Sequence, residues 1–392
     1  MTASMYLQKL LAVISGPAVV FAVFYYLELM RPSIGDVPLS QFHTLFTLLA
    51  MTATFSFGAN FTVLRATVQR KLTQNMLLAA FFGSVATGLL LISITSDYEQ
   101  AAYSNAAFAL IIVAGVGHAV RAVAEGQEKF ITATSLKTMT TLMPCIAIFL
   151  LGTSIRELAL VSVVLLTVIV AVTTIRTVDL SGVKLPENRE SQRKGWLINA
   201  VFSAYMTSFL YLDRLIVKSY ASDQYFIDLS LTYELVGKAG LLSCILLAPL
   251  FPSLFDPLMR ESRLGLVKNL LLAMASLLCL LYGLSIFVYP EITIGDQYRL
   301  KSIIAIPAIM TVGLAAVLQR IFISSAHRHV YCCWYLICWV IQIFWVIYAS
   351  CRSAPPELIL LVKGVLEILL LGCCAWRLDR RRAFTPAAYR FK

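Results

Sequence analysis

The chain has 392 residues, of which 59 % are hydrophobic and only 14 % charged, with a mean hydropathy of +0.81. Soluble globular domains spend about a quarter of their residues on charge, so this composition excludes them and indicates an integral membrane protein. The formal net charge of +11 does not point to nucleic acid, because the basic residues are spread over short loops and no soluble segment remains to carry a binding face.

A hydrocarbon core about 30 Å thick needs about 20 apolar residues per helix, whereas a barrel strand needs about 10 of alternating polarity. Blocks of the first kind recur. They predict an all-α fold with twelve transmembrane helices, at 10–29, 41–63, 75–96, 103–123, 132–152, 157–175, 196–218, 226–252, 266–289, 302–325, 330–350 and 356–376. The first follows a start whose only cation is Lys9 and is succeeded by many similar runs, so it reads as a retained span and not a cleaved signal. The second is rich in small polar groups: Thr44, Thr47, Thr52, Thr54, Ser56, Asn60 and Thr62. Hydroxyls in helices return a hydrogen bond to the preceding turn, so a packing role is expected, with a hydrogen-bonding wall for sugar hydroxyls as the alternative. Kinks are expected at Ser15-Gly16-Pro17, Pro144, Pro249, Pro252, and Pro307 with Gly313.

An even number of spans puts both termini on one side, and Lys and Arg identify the side as cytoplasmic. With that orientation the inner loops collect Arg65, Arg70 and Lys71, then Arg121, Lys129 and Lys137, then the basic linker and tail. The outer side receives Arg31, Arg156, Arg214, Lys218, Arg299, Lys301 and Arg352. The longest polar connection, Arg176–Lys194, separates six spans from six. It divides the chain into an N-terminal six-helix lobe (1–175), a cytoplasmic linker (176–195), a C-terminal six-helix lobe (196–378) and a basic cytoplasmic tail (379–392). Two six-helix lobes around a central cavity are the arrangement of transporters that rock around a site between bundles. The outer loops are too short for the active-site domain of a membrane-embedded glycan polymerase.

The seventh span is apolar yet contains Asp213, Arg214 and Lys218. At 100° per residue Asn199, Ser203, Thr207, Tyr211, Arg214 and Lys218 share one face, a polar stripe that should meet protein or water. The competing reading is that Asp213 and Arg214 merely end the helix at the interface. At 1.5 Å per residue, Glu234 and Lys238 lie about 12 and 18 Å into the eighth span, and Lys363 and Glu367 at similar depth in the twelfth. Each pair has the i,i+4 spacing of an intrahelical ion pair. Charge at that depth costs on the order of 3 kcal/mol, so the residues either neutralise one another in the bundle or line a wet cavity. The deep charge is balanced and includes cations, which tilts towards an anionic substrate and away from a drug or cation antiporter.

Motifs for catalysis are missing. Gly115-Val116-Gly117 lies within a span and lacks the remainder of a phosphate loop. His327-Arg328-His329 reads as a basic flank. Nine cysteines, Cys145, Cys244, Cys279, Cys332, Cys333, Cys338, Cys351, Cys373 and Cys374, fall almost all in apolar runs and read as small buried hydrophobes. No enzyme activity, cofactor or metal site is predicted, and any energy source is an ion gradient, the membrane potential or the substrate gradient.

Four stretches resemble one family. Tyr211-Leu212-Asp213-Arg214-Leu215-Ile216-Val217 is similar to the aspartate-arginine signature of the seventh span in bacterial O-antigen and exopolysaccharide flippases (Wzx-like polysaccharide biosynthesis proteins) of the multidrug/oligosaccharidyl-lipid/polysaccharide (MOP) exporter superfamily. Gly58-Ala59-Asn60-Phe61-Thr62-Val63-Leu64-Arg65 resembles the end of that family's second span, and Ala122-Val123-Ala124-Glu125-Gly126-Gln127-Glu128-Lys129-Phe130 the run after its fourth. Tyr233-Glu234-Leu235-Val236-Gly237-Lys238, followed by Leu247-Ala248-Pro249-Leu250-Phe251-Pro252-Ser253-Leu254, resembles its eighth. The resemblance implies a bacterial inner-membrane flippase that moves an undecaprenyl-pyrophosphate-linked oligosaccharide from the cytoplasmic to the periplasmic leaflet by alternating access. It implies partners among lipid-linked oligosaccharides, the bilayer and other polysaccharide-assembly membrane proteins. Asp213, Arg214, Glu234 and Lys238 fall on matching positions; Lys363 and Glu367 are added by depth. Arg214, Lys238 and Lys363 are then expected to attract the pyrophosphate, and Asp213, Glu234 and Glu367 to balance charge or couple an ion.

Overall fold

Where each helix stops is set by a few backbone positions. The computed structural model describes residues 3–95, 115, 117–150, 189–207, 211–237, 304–305, 307–315, 318 and 332–383, and regular structure among them is helical. α1 (Ala3–Ile34) ends at Gly35, whose φ of 85° a side chain would resist. α2 (Asp36–Thr54) starts at once, with Asp36 at its positive end and Pro38 in the first turn, where no intrahelical N–H is needed. α3 (Ala59–Val68) is separated from α2 by a tight turn at Ser56–Gly58, where Ser56, Phe57 and Gly58 take φ of 34°, 48° and 73° in succession. The second predicted span is therefore two helices with a sharp break that no proline announces. The helices bearing Pro17 and Pro144 run on continuously. One proline removes one bond, and its neighbours hold the helix together.

α3 closes on Arg70 in the left-handed conformation, with Lys71 N–H donating to the Ala66 carbonyl at 2.8 Å. α4 (Gln74–Thr95) follows. The helical stretch 117–126 closes in the same way on Glu128, with Lys129 N–H on the Ala124 carbonyl, and leads into α5 (Phe130–Leu150). In the second half α6 (Arg189–Thr207) begins inside the predicted linker, and α7 (Asp213–Lys218) completes the seventh span. α8 (Asp223–Thr232) is capped by Ser222, whose hydroxyl accepts from Tyr225 N–H, and passes into a π turn at Tyr233–Gly237. α9 (Cys332–Cys351) and α10 (Pro356–Ala383) form the final pair, α10 opening with proline at its first position and reaching into the predicted tail. The spans predicted at 157–175 and 266–289, and Lys238, lie outside the described residues. Among the described residues, Asp36–Val68 and Trp334–Cys351 are long and apolar enough to cross a membrane.

The connections at 30–36, 219–222 and 352–355 gather on one face. Arg31 reaches Asp228 at 2.7 Å and the Tyr225 hydroxyl donates to the Ala354 carbonyl at 2.8 Å. At the opposite end of α2 and α3 the turns 69–73 and 127–129 lie together, so closely that a Cβ on Gly126 would stand 2.8 Å from Thr67. The sequence assigns the first three connections to one side of the membrane and the last two to the other, and the bundle groups them the same way. Ala59, Val63 and Ala66 pack with Ala119, Ala122, Ala124 and Ala133, small residues that let helices approach where lipid removes the usual hydrophobic gain. A second cluster joins the two halves of the chain: Phe24, Phe42 and Phe46 from the first, Tyr211, Ile227 and Leu231 from the second. Leu336, Ile337, Val340, Ile341 and Phe344 stand exposed along α9, as an apolar face against lipid requires.

Candidate functional site

The hydroxyls of α2 and α3 do what their chemistry favours. Thr44, Thr47 and Thr52 donate to the carbonyls of Ser40, His43 and Leu49 at 2.7–2.8 Å, and Thr62 to Gly58 at 3.1 Å. Polar groups that leave their own helix are fewer, and they concentrate where α6 and α7 pass. The predicted stripe is buried: Asn199, Ser203, Thr207, Tyr211 and Arg214 are each under 5 % exposed, while Leu197 on another face is 65 % exposed. Asn199 donates to the Thr62 hydroxyl at 2.8 Å, and Ser203 donates to the Phe55 carbonyl at the break in α2–α3, which also accepts from Gly58 N–H at 2.8 Å. A Cβ on Gly58 would collide with the backbone of Asn199 and Ala200.

Above that contact the backbone takes a π turn at Tyr211-Leu212, directly before Asp213 and Arg214. Such turns insert an extra residue and re-aim side chains, and they recur at functional sites. Asp213 and Arg214 are buried inside the bundle, each 1 % exposed, and the helix runs on to Lys218. Partners from other helices make the burial tolerable. Arg214 forms an ion pair with Glu234 at 2.8 Å, and its guanidinium lies over the rings of Tyr211 and Tyr233, 5.2 and 4.8 Å from their centroids. Lys363 of α10 crosses to Asp213, forming both an ion pair and a hydrogen bond. The Tyr233 hydroxyl donates to Asp213 Oδ2 at 2.6 Å and accepts from Lys363 Nζ at 3.2 Å. Gln342 of α9 closes the ring of partners, its amide 3.0 Å from the Tyr205 hydroxyl and 3.5 Å from the Lys363 carbonyl. Glu367, one turn along α10, is fully buried.

Five of the six predicted site residues, Asp213, Arg214, Glu234, Lys363 and Glu367, are thus buried in the second half, and the ion pairs Arg214–Glu234 and Lys363–Asp213 run between helices. The sixth, Lys238, lies outside the described residues. Tyr233, Gln342 and Tyr205 join the site without having been singled out for it. Gln342, an amide in an otherwise apolar span, carried a readable signal. So did His43, an imidazole in the middle of α2, 1 % exposed, edge-on to Phe24 and Phe42 and without a hydrogen-bond partner among the described residues. Lys218, two turns from Tyr211 on the stripe, donates to Ser40 and Thr44 of α2 at 3.0 and 2.8 Å.

Chemically, the cluster is charge-matched. Arg214 and Lys363 face Asp213 and Glu234, with Glu367 beside them. Arg214 and Lys363 each hold a carboxylate and not an open position for a phosphate. A proton or a small cation that neutralised Asp213 or Glu234 would release Lys363 or Arg214, and with it the tie between α7, the Tyr233 turn and α10.

The sequence matches no family model and no curated protein. Its structure resembles solved transporters over nearly the whole chain. A MATE transporter in complex with MaL6 superposes with a TM-score of 0.56 at 11 % identity, over 97 % of this chain and 95 % of that one. An outward-facing multidrug resistance MATE family transporter of the MOP superfamily gives 0.56 at 9 %, over 97 % and 96 %. The eukaryotic MATE transporter AtDTX14 gives 0.53 at 14 %, over 97 % and 98 %. The fold is that of the MATE transporters. A MOP superfamily transporter from Pyrococcus furiosus, described by the reverse polarity of its binding pocket, gives 0.52 at 9 %, over 96 % and 94 %. The MATE fold makes this chain a multi-pass membrane protein. The charge cluster lies on helices that follow the chain's longest polar connection, in the half beginning at α6.

Proposed function

We propose that the chain is a secondary transporter of the MATE fold that exports an amphiphilic organic solute by alternating access of its two halves, driven by an ion or proton. The observation that carries this reading is the matched burial of Asp213 with Lys363 and Arg214 with Glu234. Such a cluster supports exchange of a cation at a carboxylate better than capture of an anion, because Arg214 and Lys363 already have their counter-charges. Solved neighbours that are transporters support transport over catalysis, and one of them is a multidrug resistance protein. Expression in an efflux-deficient host should lower its susceptibility to cationic dyes, and Asp213→Asn should abolish the gain at equal protein level. Unchanged susceptibility with the parent chain would remove the reading.

A second reading keeps the fold and changes the cargo: a flippase for undecaprenyl-pyrophosphate-linked oligosaccharide in the bacterial inner membrane, serving O-antigen or exopolysaccharide assembly. It is favoured by the Asp213-Arg214 stretch and the three other stretches that resemble that family. Here Arg214 and Lys363 would turn from their carboxylates to the pyrophosphate, the bidentate guanidinium most strongly, and Lys238 would join them. A neighbour of this fold is described by the reverse polarity of its binding pocket, which supports a cargo of different charge. Deleting the gene and measuring surface polysaccharide separates the readings: loss of glycan, restored by the parent and not by Arg214→Ala, supports the flippase.

A further inference from the structure

The two halves of the chain are joined by more than the deep cluster. On the face that carries residues 30–36 and 219–222, Arg31 of α1 donates from Nε to Asp36 Oδ1 at 2.9 Å and from Nη1 to Asp228 Oδ1 of α8 at 2.7 Å. Ser40 of α2 donates to Asp223 Oδ1 at 2.8 Å while accepting from Lys218 of α7 at 3.0 Å, and Lys218 also donates to Thr44 at 2.8 Å. Each of these links but the Arg31–Asp36 pair ties a residue of the first half to one of the second. Directly beneath them Phe24, Phe42 and Phe46 meet Tyr211, Ile227 and Leu231 in one apolar cluster, again shared between halves. A polar rim over an aromatic plug keeps water from the interior while the rim can exchange its partners for water cheaply, since Arg31 is 17 % and Asp228 37 % exposed.

On the alternating-access reading given above, we propose that this rim is the latch of the gate on that face: Arg31–Asp228, Ser40–Asp223 and Lys218 with Ser40 and Thr44 hold the halves closed there and separate when the face opens. Opening leaves every rim group able to hydrate. The plug below, by contrast, must lose apolar contact, so it sets the barrier and the rim sets how often the gate is found open.

The test is hydrogen exchange read by mass spectrometry on the full chain in lipid nanodiscs, with no substrate added. Arg31→Glu, which puts a carboxylate against Asp36 and Asp228, should speed exchange about five-fold in peptides covering 36–47 and 223–232 and leave peptides covering 74–90 unchanged. Adding Asp228→Arg in the same chain should return both segments to within about two-fold of the parent. Should Arg31→Glu fail to fold, Lys218→Met and Ser40→Ala are read in the same way and should each give a smaller increase in the same two segments. Unchanged exchange in both segments of a folded variant, or an increase spread over the whole chain, would overturn the latch. The measurement needs no cargo. A chain that exports nothing yet shows the local increase would defeat the proposed function and spare the latch, and the converse result would do the opposite.

Discussion

The two halves of the chain handle polar groups inside a membrane in different ways. In the first half the helices α2 and α3 carry hydroxyls, and Thr44, Thr47, Thr52 and Thr62 satisfy themselves on carbonyls of their own helix. In the second half the deepest polar groups are ions, and Asp213 pairs with Lys363 and Arg214 with Glu234 across helices. A hydroxyl bonded within its helix adds little to how helices are arranged. An ion pair that crosses between segments makes the arrangement obligatory, because separating α10 from α7 would strand two charges in a medium that does not solvate them. The crossing ion pairs therefore pin the second half at one level.

Single and paired replacements test that contrast most directly. Lys363→Met leaves Asp213 buried without its cation and should lower stability by about 3–5 kcal/mol, read as thermal unfolding in detergent. Combining it with Asp213→Asn, which still accepts from Tyr233, should restore most of the loss; a double variant as unstable as the single one would show that the pair is not what holds α10. Gly58→Ala follows in size, at about 2–3 kcal/mol, since the new methyl meets the backbone of Asn199 and Ala200 at a residue with positive φ. Its effect should appear as loosened contact between α3 and α6, seen as faster hydrogen exchange in both. Arg214→Lys keeps the charge opposite Glu234 but gives up the planar stack between Tyr211 and Tyr233, and about 1–2 kcal/mol should go with it. Thr47→Val should change stability by less than about 1 kcal/mol, because the hydroxyl it removes had bonded only within its helix. A large loss there would erase the distinction between the halves.

Much of the bundle was legible from apolar run length and from loop charge. Seven predicted spans fall on described helices or helix pairs, three of which, α1, α6 and α10, run several residues past the expected limits, because a bilayer-length apolar run has few other options. The polar stripe of the seventh span was legible for the same reason that helices are: its period is fixed. Partnership was not. Lys363 and Glu234 look self-sufficient in sequence because Glu367 and Lys238 stand one turn away, yet the ion pairs that Lys363 and Glu234 form with Asp213 and Arg214 run between helices and depend on how α7, α8 and α10 are brought together. Nor could the break at Ser56–Gly58 be read in advance. It rests on Gly58 fitting against α6, a contact that exists only after both halves have met.

That break has a mechanical side. A continuous helix of more than thirty residues would carry any tilt at one membrane face through to the other. Split after Thr54, the same stretch becomes two short rods. The rod with Ser40 and Thr44 and the rod seated among the alanines of the 117–126 stretch need not tilt together.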